Sequence, residues 1–145
     1  MGWKKALRKK KILVLCTGNA CRSQMAEGWF RFLRGEECEV WSAGIHPDEL
    51  DPRAVLVMKE AGVDISHHHS KHIDELPDID FDMVITVCDA AREDCPIFPG
   101  RVKQFHQSFE NPPVVTKNLK DEDEILRVYR QVRDDIKHFV ETFIL

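Results

Sequence analysis

Apolar positions along this chain follow two rhythms. Short unbroken runs occur at Ile12, Leu13, Val14 and Leu15, and again from Phe81 through Met83, Val84, Ile85 and Val87. Runs of that length predict strands buried on both faces, as in a parallel sheet. Glu39, Val40, Trp41, Ser42 and Ala43, closed by Gly44, read as a second strand in chain order, and residues 102–105 as a fourth. Between the strands the period changes. Met25, Trp29, Phe32 and Leu33 recur at helical spacing up to Arg34, with Gly35 as the stop. Asp51 and Pro52 open a second helix, with Ala54, Val55, Met58 and Ala61 on its buried face and Gly62 after it. Asp121, Glu122, Asp123 and Glu124 load the start of a last helix, where the dipole favours negative charge. Ile125, Tyr129, Val132, Ile136, Phe139 and Phe143 give that helix a continuous apolar stripe. Strands alternating with helices predict an α/β fold, a parallel sheet with helices on both faces.

Composition narrows the function classes. The 145 residues suit a single domain, and 43% hydrophobic with 32% charged residues is ordinary for a water-soluble chain. A net charge of −4 argues against general nucleic-acid binding. Positive charge nevertheless crowds the start, at Lys4, Lys5, Arg8, Lys9, Lys10 and Lys11, so residues 1–10 are read as a solvated basic extension and 11–145 as the domain. Ala6 stands where a myristoylation pattern needs Ser or Thr. The run at 12–15 is too short for a signal-peptide core, and no stretch approaches transmembrane length. The expected setting is cytoplasmic, with no membrane partner, as a monomer. Five cysteines in such a chain point to reactive thiols or metal rather than a disulfide framework. His67, His68, His69 and His72 raise the metal question directly. Adjacent imidazoles cannot all face one ion from a regular element, so a polar loop with a short helix is the better reading, and no metal or other cofactor is expected.

The richest stretch runs from Lys11 to Phe30, KILVLCTGNACRSQMAEGWF. Its strand ends on Cys16, where open parallel sheets place their ligands. Five residues separate Cys16 from Arg22 and Ser23, at which a helix opens. Gly18 and Asn19 tolerate left-handed backbone, so Thr17, Gly18, Asn19, Ala20 and Cys21 can aim successive N–H groups at one point. The helix start adds further N–H groups, and Arg22 offers a planar fork to a tetrahedral oxyanion. Thr17 to Ser23 thus form a candidate oxyanion-binding loop. Its positive potential predicts Cys16 as a nucleophile of lowered pKa. A buried strand-end Cys beside a surface Arg would be the bland alternative, which the strand, spacing and helix together disfavour.

The Cys16-to-Arg22 loop resembles that of the low-molecular-weight tyrosine phosphatases. The longer string CTGNACRSQMAEGW, together with VCDAAREDCP further on, resembles their relatives, the thioredoxin-coupled arsenate reductases. The resemblance covers nearly the whole chain from Lys11. It implies a strand order of 2-1-3-4, which makes the strands carrying Cys16 and Cys88 neighbours. It also implies roles: Cys16 attacks arsenate, Cys88 displaces arsenite, and Cys95, after a six-residue gap, accepts the disulfide. The reductant it implies is thioredoxin, with a glutaredoxin-type system as the alternative. Cys21 resembles a loop cysteine outside the relay, and Cys38 reads as structural.

Two departures from that family's pattern stand out. The loop after the fourth strand commonly carries an Asp before Pro as general acid, and here Asn111 precedes Pro112. Asn cannot donate a proton as an acid does, which leaves Glu110 as the candidate acid. Some members bind a potassium-type cation with residues matching Asn19, Glu27, Ser42 and an Asp where this chain has Lys71. A Lys71 ammonium paired with Glu27 is expected to replace that ion. The rival readings are a phosphatase working through a cysteinyl-phosphate and a non-catalytic oxyanion-binding thiol protein.

Overall fold

A computed structural model describes residues 8–93 and 102–145. Four parallel strands form one sheet: β1 (Lys10–Cys16), β2 (Cys38–Gly44), β3 (Met83–Thr86) and β4 (Lys103–His106), in the order β2-β1-β3-β4. The helices are α1 (Arg22–Arg34), α2 (Pro52–Glu60), α3 (Asp89–Glu93), α4 (Pro112–Val115) and α5 (Glu122–Thr142), with a 3-10 turn at Ile73–Glu75. Strand order and helix alternation are those expected for the α/β fold. Among the described residues no helix is long and apolar enough to cross a membrane.

Register explains why β1 is the hinge of the molecule. Ile12, Leu13, Val14 and Leu15 are all fully buried, because β2 pairs on one side and β3 on the other. Ser42, opposite Val14, faces α1, where its hydroxyl meets Glu27. Trp41, opposite Leu13, lies on the other face and sets its ring edgewise on Phe81, 5.6 Å between centroids. Cys16 is the last paired residue of β1, against Gly44. Lys10 already belongs to the ladder, opposite Cys38, and Arg8 forms a two-toothed ion pair with Asp82 at 2.8 and 3.1 Å.

Helix α1 crosses α5 and touches β1 and β2. Its buried apolar residues are Met25, Ala26, Trp29 and Phe30, whereas Phe32 is 60% exposed. Sequence periodicity placed Phe32 inside. The stripe is rotated because the first turn, from Arg22 on, is buried by the anion loop and drags the face with it. Gly35 ends the helix in ordinary right-handed backbone, and a Cβ there would meet the Arg31 carbonyl oxygen at 2.5 Å. Gly62, by contrast, stops α2 with φ +88°, a left-handed terminus that suits Gly. Asp51 caps α2, accepting from Arg53 N at 2.9 Å, while Asp121 caps α5 rather than opening it. Val132, Ile136 and Val140 carry the α5 stripe, with Phe139 and Phe143 at its margin. The short helix α4, begun by Pro112, falls in a stretch that reads as loop from its polar flanks.

Where α1 meets α2, Gly28 allows the closest approach. A Cβ at Gly28 would lie 2.8 Å from Ile65 Cγ2 and 3.1 Å from Met58 Cε. Gly28→Ala gains helix propensity of about 1 kcal/mol, but overpacking costs roughly 1–3 kcal/mol. The expected net result is a loss of about 1 kcal/mol in urea unfolding, and a gain in the transition midpoint would show that this helix contact is looser than described.

Candidate active site

The anion loop is shaped by where its carbonyls go. Cys16 O accepts from Ile45 N, Thr17 O from His46 N, Gly18 O from Asp48 N, and Ala20 O from Asp51 N. Asn19 O takes Gln24 Nε2 at 3.0 Å and Ser70 Oγ at 2.7 Å. Five successive carbonyls are thus committed outward, toward residues 45–51, Gln24 and Ser70. In a planar trans peptide the N–H points opposite to its C=O, so the amides turn toward the centre of the loop. Gly44 lets this happen. A Cβ there would come within 2.6 Å of Thr17 O and 3.1 Å of Asn19 N.

Asn19 is the one non-Gly residue of the described chain with positive φ, at 50°. Gly18, expected to share that role, has no left-handed backbone, and a Cβ there would make only ordinary contacts, the nearest 3.6 Å from Asp48 Cβ. Asn19 is fully buried, and each of its polar atoms is paired. Its Nδ2 donates to Ser23 Oγ at 2.8 Å and Ser42 Oγ at 2.9 Å, and its Oδ1 accepts from Gln24 Nε2 and Lys71 N, each at 3.1 Å. Its side chain therefore serves the loop's shape, not an anion. Ser23, buried at the start of α1, is locked in the same network.

Arg22 is 8% exposed, and its NH1 donates to the Phe109 carbonyl at 3.1 Å. The guanidinium is thus held at the loop's edge by the segment after β4. Glu110, next in the chain, is exposed and lines a groove with Phe109, His138 and Phe139 of that same side. Asn111 starts α4 through its backbone, its carbonyl accepting from Val114 N and Val115 N.

Cys16 and Cys88 come together as expected from adjacent strands. Both are buried, and each shifts the ionisation of the other. Thr17 Oγ1 lies 3.2 Å from Cys88 Sγ. The charge does not rest where the sequence placed it. Cys88 is lowered to about 5, first by its Cys16 neighbour, then against the cost of burial by Thr17, the Ala91 N–H and Arg22. Cys16 is raised, by Cys88 and then by burial, with Arg22 opposing. The two thiols titrate as a pair, the first proton leaving below the ordinary thiol range and the second above it. Cys16 on its own is not the low-pKa thiol; the pair is. Burial pushes Cys21 up as well and Cys38 to about 11, which leaves both as inert thiols. Cys95 lies outside the described residues.

Glu27 corrects a second expectation. Its Oε2 pairs with Arg31 at 3.1 Å, one helical turn along α1, and its Oε1 accepts from Ser42 at 2.7 Å. Lys71 instead donates to the His69 carbonyl at 3.3 Å, and burial lowers its pKa against the pull of Glu27. A partner four residues away on the same helix wins over one held on a distant loop. Of the histidine run, His68 turns inward, with Nδ1 2.9 Å from Gln24 Oε1, and His72 caps the 3-10 turn through Nδ1 at 3.0 Å. Among the described residues no cluster of three His, Cys, Asp or Glu could hold a metal ion.

A tetrahedral-anion loop with a strand-end thiol, followed by an Arg-headed helix, sits in a domain whose residues 11–144 match the family model described as low molecular weight phosphotyrosine protein phosphatase. The chain belongs to that family. Within it, an arsenate reductase of Bacillus licheniformis is 46% identical over 142 residues, covering 94% of this chain and 99% of its own. A solved family structure described as an arsenate reductase in the phosphate binding state shares 32% identity, with TM-score 0.67 over 91% of this chain and 94% of that one. The thioredoxin-dependent arsenate reductase of Corynebacterium glutamicum is 28% identical with TM-score 0.61, covering 97% of this chain and 65% of its own.

The lowered Cys88 pKa makes a measurable prediction. Thiolate absorbance near 240 nm should appear as pH rises through about 5, amounting to one sulfur per chain, and should vanish from that range in Cys88→Ser. Appearance of the first thiolate only near pH 8–9, the range of a free thiol, would mean that the site lowers neither thiol.

Proposed function

We propose that the chain reduces arsenate to arsenite through a relay of Cys16, Cys88 and Cys95. The observation that carries this reading is a second buried thiol, Cys88, held 3.2 Å from Thr17 Oγ1 of the loop that Cys16 opens. A phosphatase of this family needs one thiol there. A second buried thiol beside it suits a reaction that consumes two.

The steps balance. Arsenate, a near copy of phosphate in shape, takes the inward N–H groups of residues 17–23 and the fork of Arg22. The Cys16 proton passes to a departing arsenate oxygen as Cys16 sulfur bonds to As(V), so that water leaves and Cys88 stays a thiolate. Next the Cys88 thiolate attacks Cys16 sulfur. The S–As bond breaks with its electron pair staying on arsenic, so As(V) becomes As(III) and two thiols become one disulfide. Cys95 thiolate attacks Cys88 sulfur, and Cys16 departs as thiolate. Thioredoxin, a dithiol reductant, returns Cys88–Cys95 to the reduced state; its support is the likeness to the C. glutamicum enzyme.

The loop after β4 fits this reading better than ester hydrolysis. With Asn111 opening α4 and Glu110 facing a groove, phenolate or alkoxide leaving groups lack a well-placed proton donor. Arsenate can carry its own leaving proton. Glu110 remains the candidate acid if the loop closes over a bound anion. One chain carries every reacting group, so the reading needs no second subunit, and a relay that starts from reduced thiols suits a reducing cytoplasm.

Peptide mapping after one arsenate addition tests the order. Wild type should accumulate Cys88–Cys95, and Cys95→Ser should stall as Cys16–Cys88 after one turnover. Cys88→Ser should release little or no arsenite, and Cys16→Ser none. Full turnover by Cys88→Ser, or a bridge containing Cys21 or Cys38, would return the chain to the phosphatases.

A further inference from the structure

The residue that follows Cys88 is gripped in a way that anion binding and thiol chemistry do not call for. Asp89, first residue of α3, is exposed, yet its Oδ1 accepts from Ser108 Oγ at 2.7 Å and lies 3.0 Å from His106 Nε2. His106 Nε2 is also 3.0 Å from Ser108 Oγ, so the three side chains close a triangle. Facing two oxygens, one of them a carboxylate, Nε2 carries a proton. The ring is fixed from behind as well, with Nδ1 2.8 Å from Thr86 Oγ1 on β3. The end of β4 and the loop after it therefore hold the first residue of the helix that starts next to Cys88.

That grip matters because α3 cannot hold itself. Its described part has five residues, too few to be stable without tertiary contacts. Buried Ala91 and the Asp89 triangle help tie it to the sheet. The same loop reaches the anion site: Ser108 holds Asp89, while the next carbonyl, that of Phe109, holds Arg22. One short segment thus grips both the oxyanion's arginine and the helix beside the second thiol.

We propose that Asp89, Ser108 and His106 are positioning residues that form a latch, keeping Cys88 against Cys16 while their disulfide forms and limiting how fast Cys88 then leaves. The inference rests on the relay reading for its consequence but not for its existence. Opening the latch breaks hydrogen bonds only. The exchange that follows is the one already described, with Cys95 sulfur bonding to Cys88 and Cys16 leaving as thiolate.

Two readouts test it on the full chain. The first uses the reduced protein without arsenate, alkylated with iodoacetamide and mapped by peptide mass. Ser108→Ala and Asp89→Ala should speed alkylation of Cys88 by about three- to tenfold, with buried Cys21 and Cys38 as unchanged internal references. Ser108→Thr, which keeps the hydroxyl, should restore the slow rate. The second follows a single arsenate turnover by acid quench. Ser108→Ala should speed conversion of Cys16–Cys88 to Cys88–Cys95 by a similar factor. An unchanged Cys88 rate, or equal acceleration of Cys21 and Cys38, overturns the latch. Faster alkylation with unchanged conversion overturns its control of the relay. Absence of any Cys16–Cys88 bridge in wild type would overturn the relay instead, and leave the alkylation comparison to decide the latch.

Discussion

The site depends first on the outward commitment of the five carbonyls from Cys16 to Ala20. A turn this tight must expose either its acceptors or its donors to its centre. Backbone amides of Ile45, His46, Asp48 and Asp51, with the side chains of Gln24 and Ser70, take all the acceptors. The donors are left facing in. Each of those bonds is ordinary, worth about 0.5–1.5 kcal/mol net. Together they decide the sign of the potential at the strand's end. Asn19 is the keystone of the arrangement, because its left-handed backbone reverses the turn and its amide is fully paired in the interior. A buried amide left without partners would cost about 1–3 kcal/mol per group, so the loop and its support fold together.

Support comes from far along the chain. Asp51 joins three elements: its N–H holds Ala20 O, its carboxylate caps α2, and its Oδ2 receives the Tyr129 hydroxyl of α5 at 2.6 Å. Gln24, fully buried, ties Asn19 to His69 O and to the His68 ring. The histidine run, which looks like a metal site in the sequence, is a brace for the anion loop. Sheet topology then does the rest. With β1 between β2 and β3, the thiols that end β1 and follow β3 emerge side by side without any residue being selected for contact.

Much of this was legible in the sequence. The four strands, the long helices and the Cys16-to-Arg22 loop announce themselves through short apolar runs, helical spacing and the Cys-to-Arg interval. What was illegible depended on tertiary partners. Phe32 lies outside because the anion loop, not the periodic stripe, sets the rotation of α1. Lys71 lost Glu27 to Arg31 because a neighbour on the same helix is held in place already. Residues 45–51 read only as a loop with His46 and Pro47, yet their amides shape the site. Helical spacing gives no sign of Gln24, which lies off the face that carries Met25 and Trp29; its role shows only once Asn19 is seen beside it.

The ionisation of the thiol pair separates the two chemistries that this loop can host. A lone strand-end Cys is lowered by loop amides and Arg22, and is ready to attack phosphorus. Here a second sulfur competes for that field, and Thr17, the Ala91 N–H and Arg22 lower its pKa while that of Cys16 is raised. In the proposed relay this suits the second step, in which a Cys88 thiolate strikes the Cys16 adduct. For an ester hydrolase such a neighbour is a handicap. For the proposed two-electron reduction it lowers the pKa of the second nucleophile before the first has reacted.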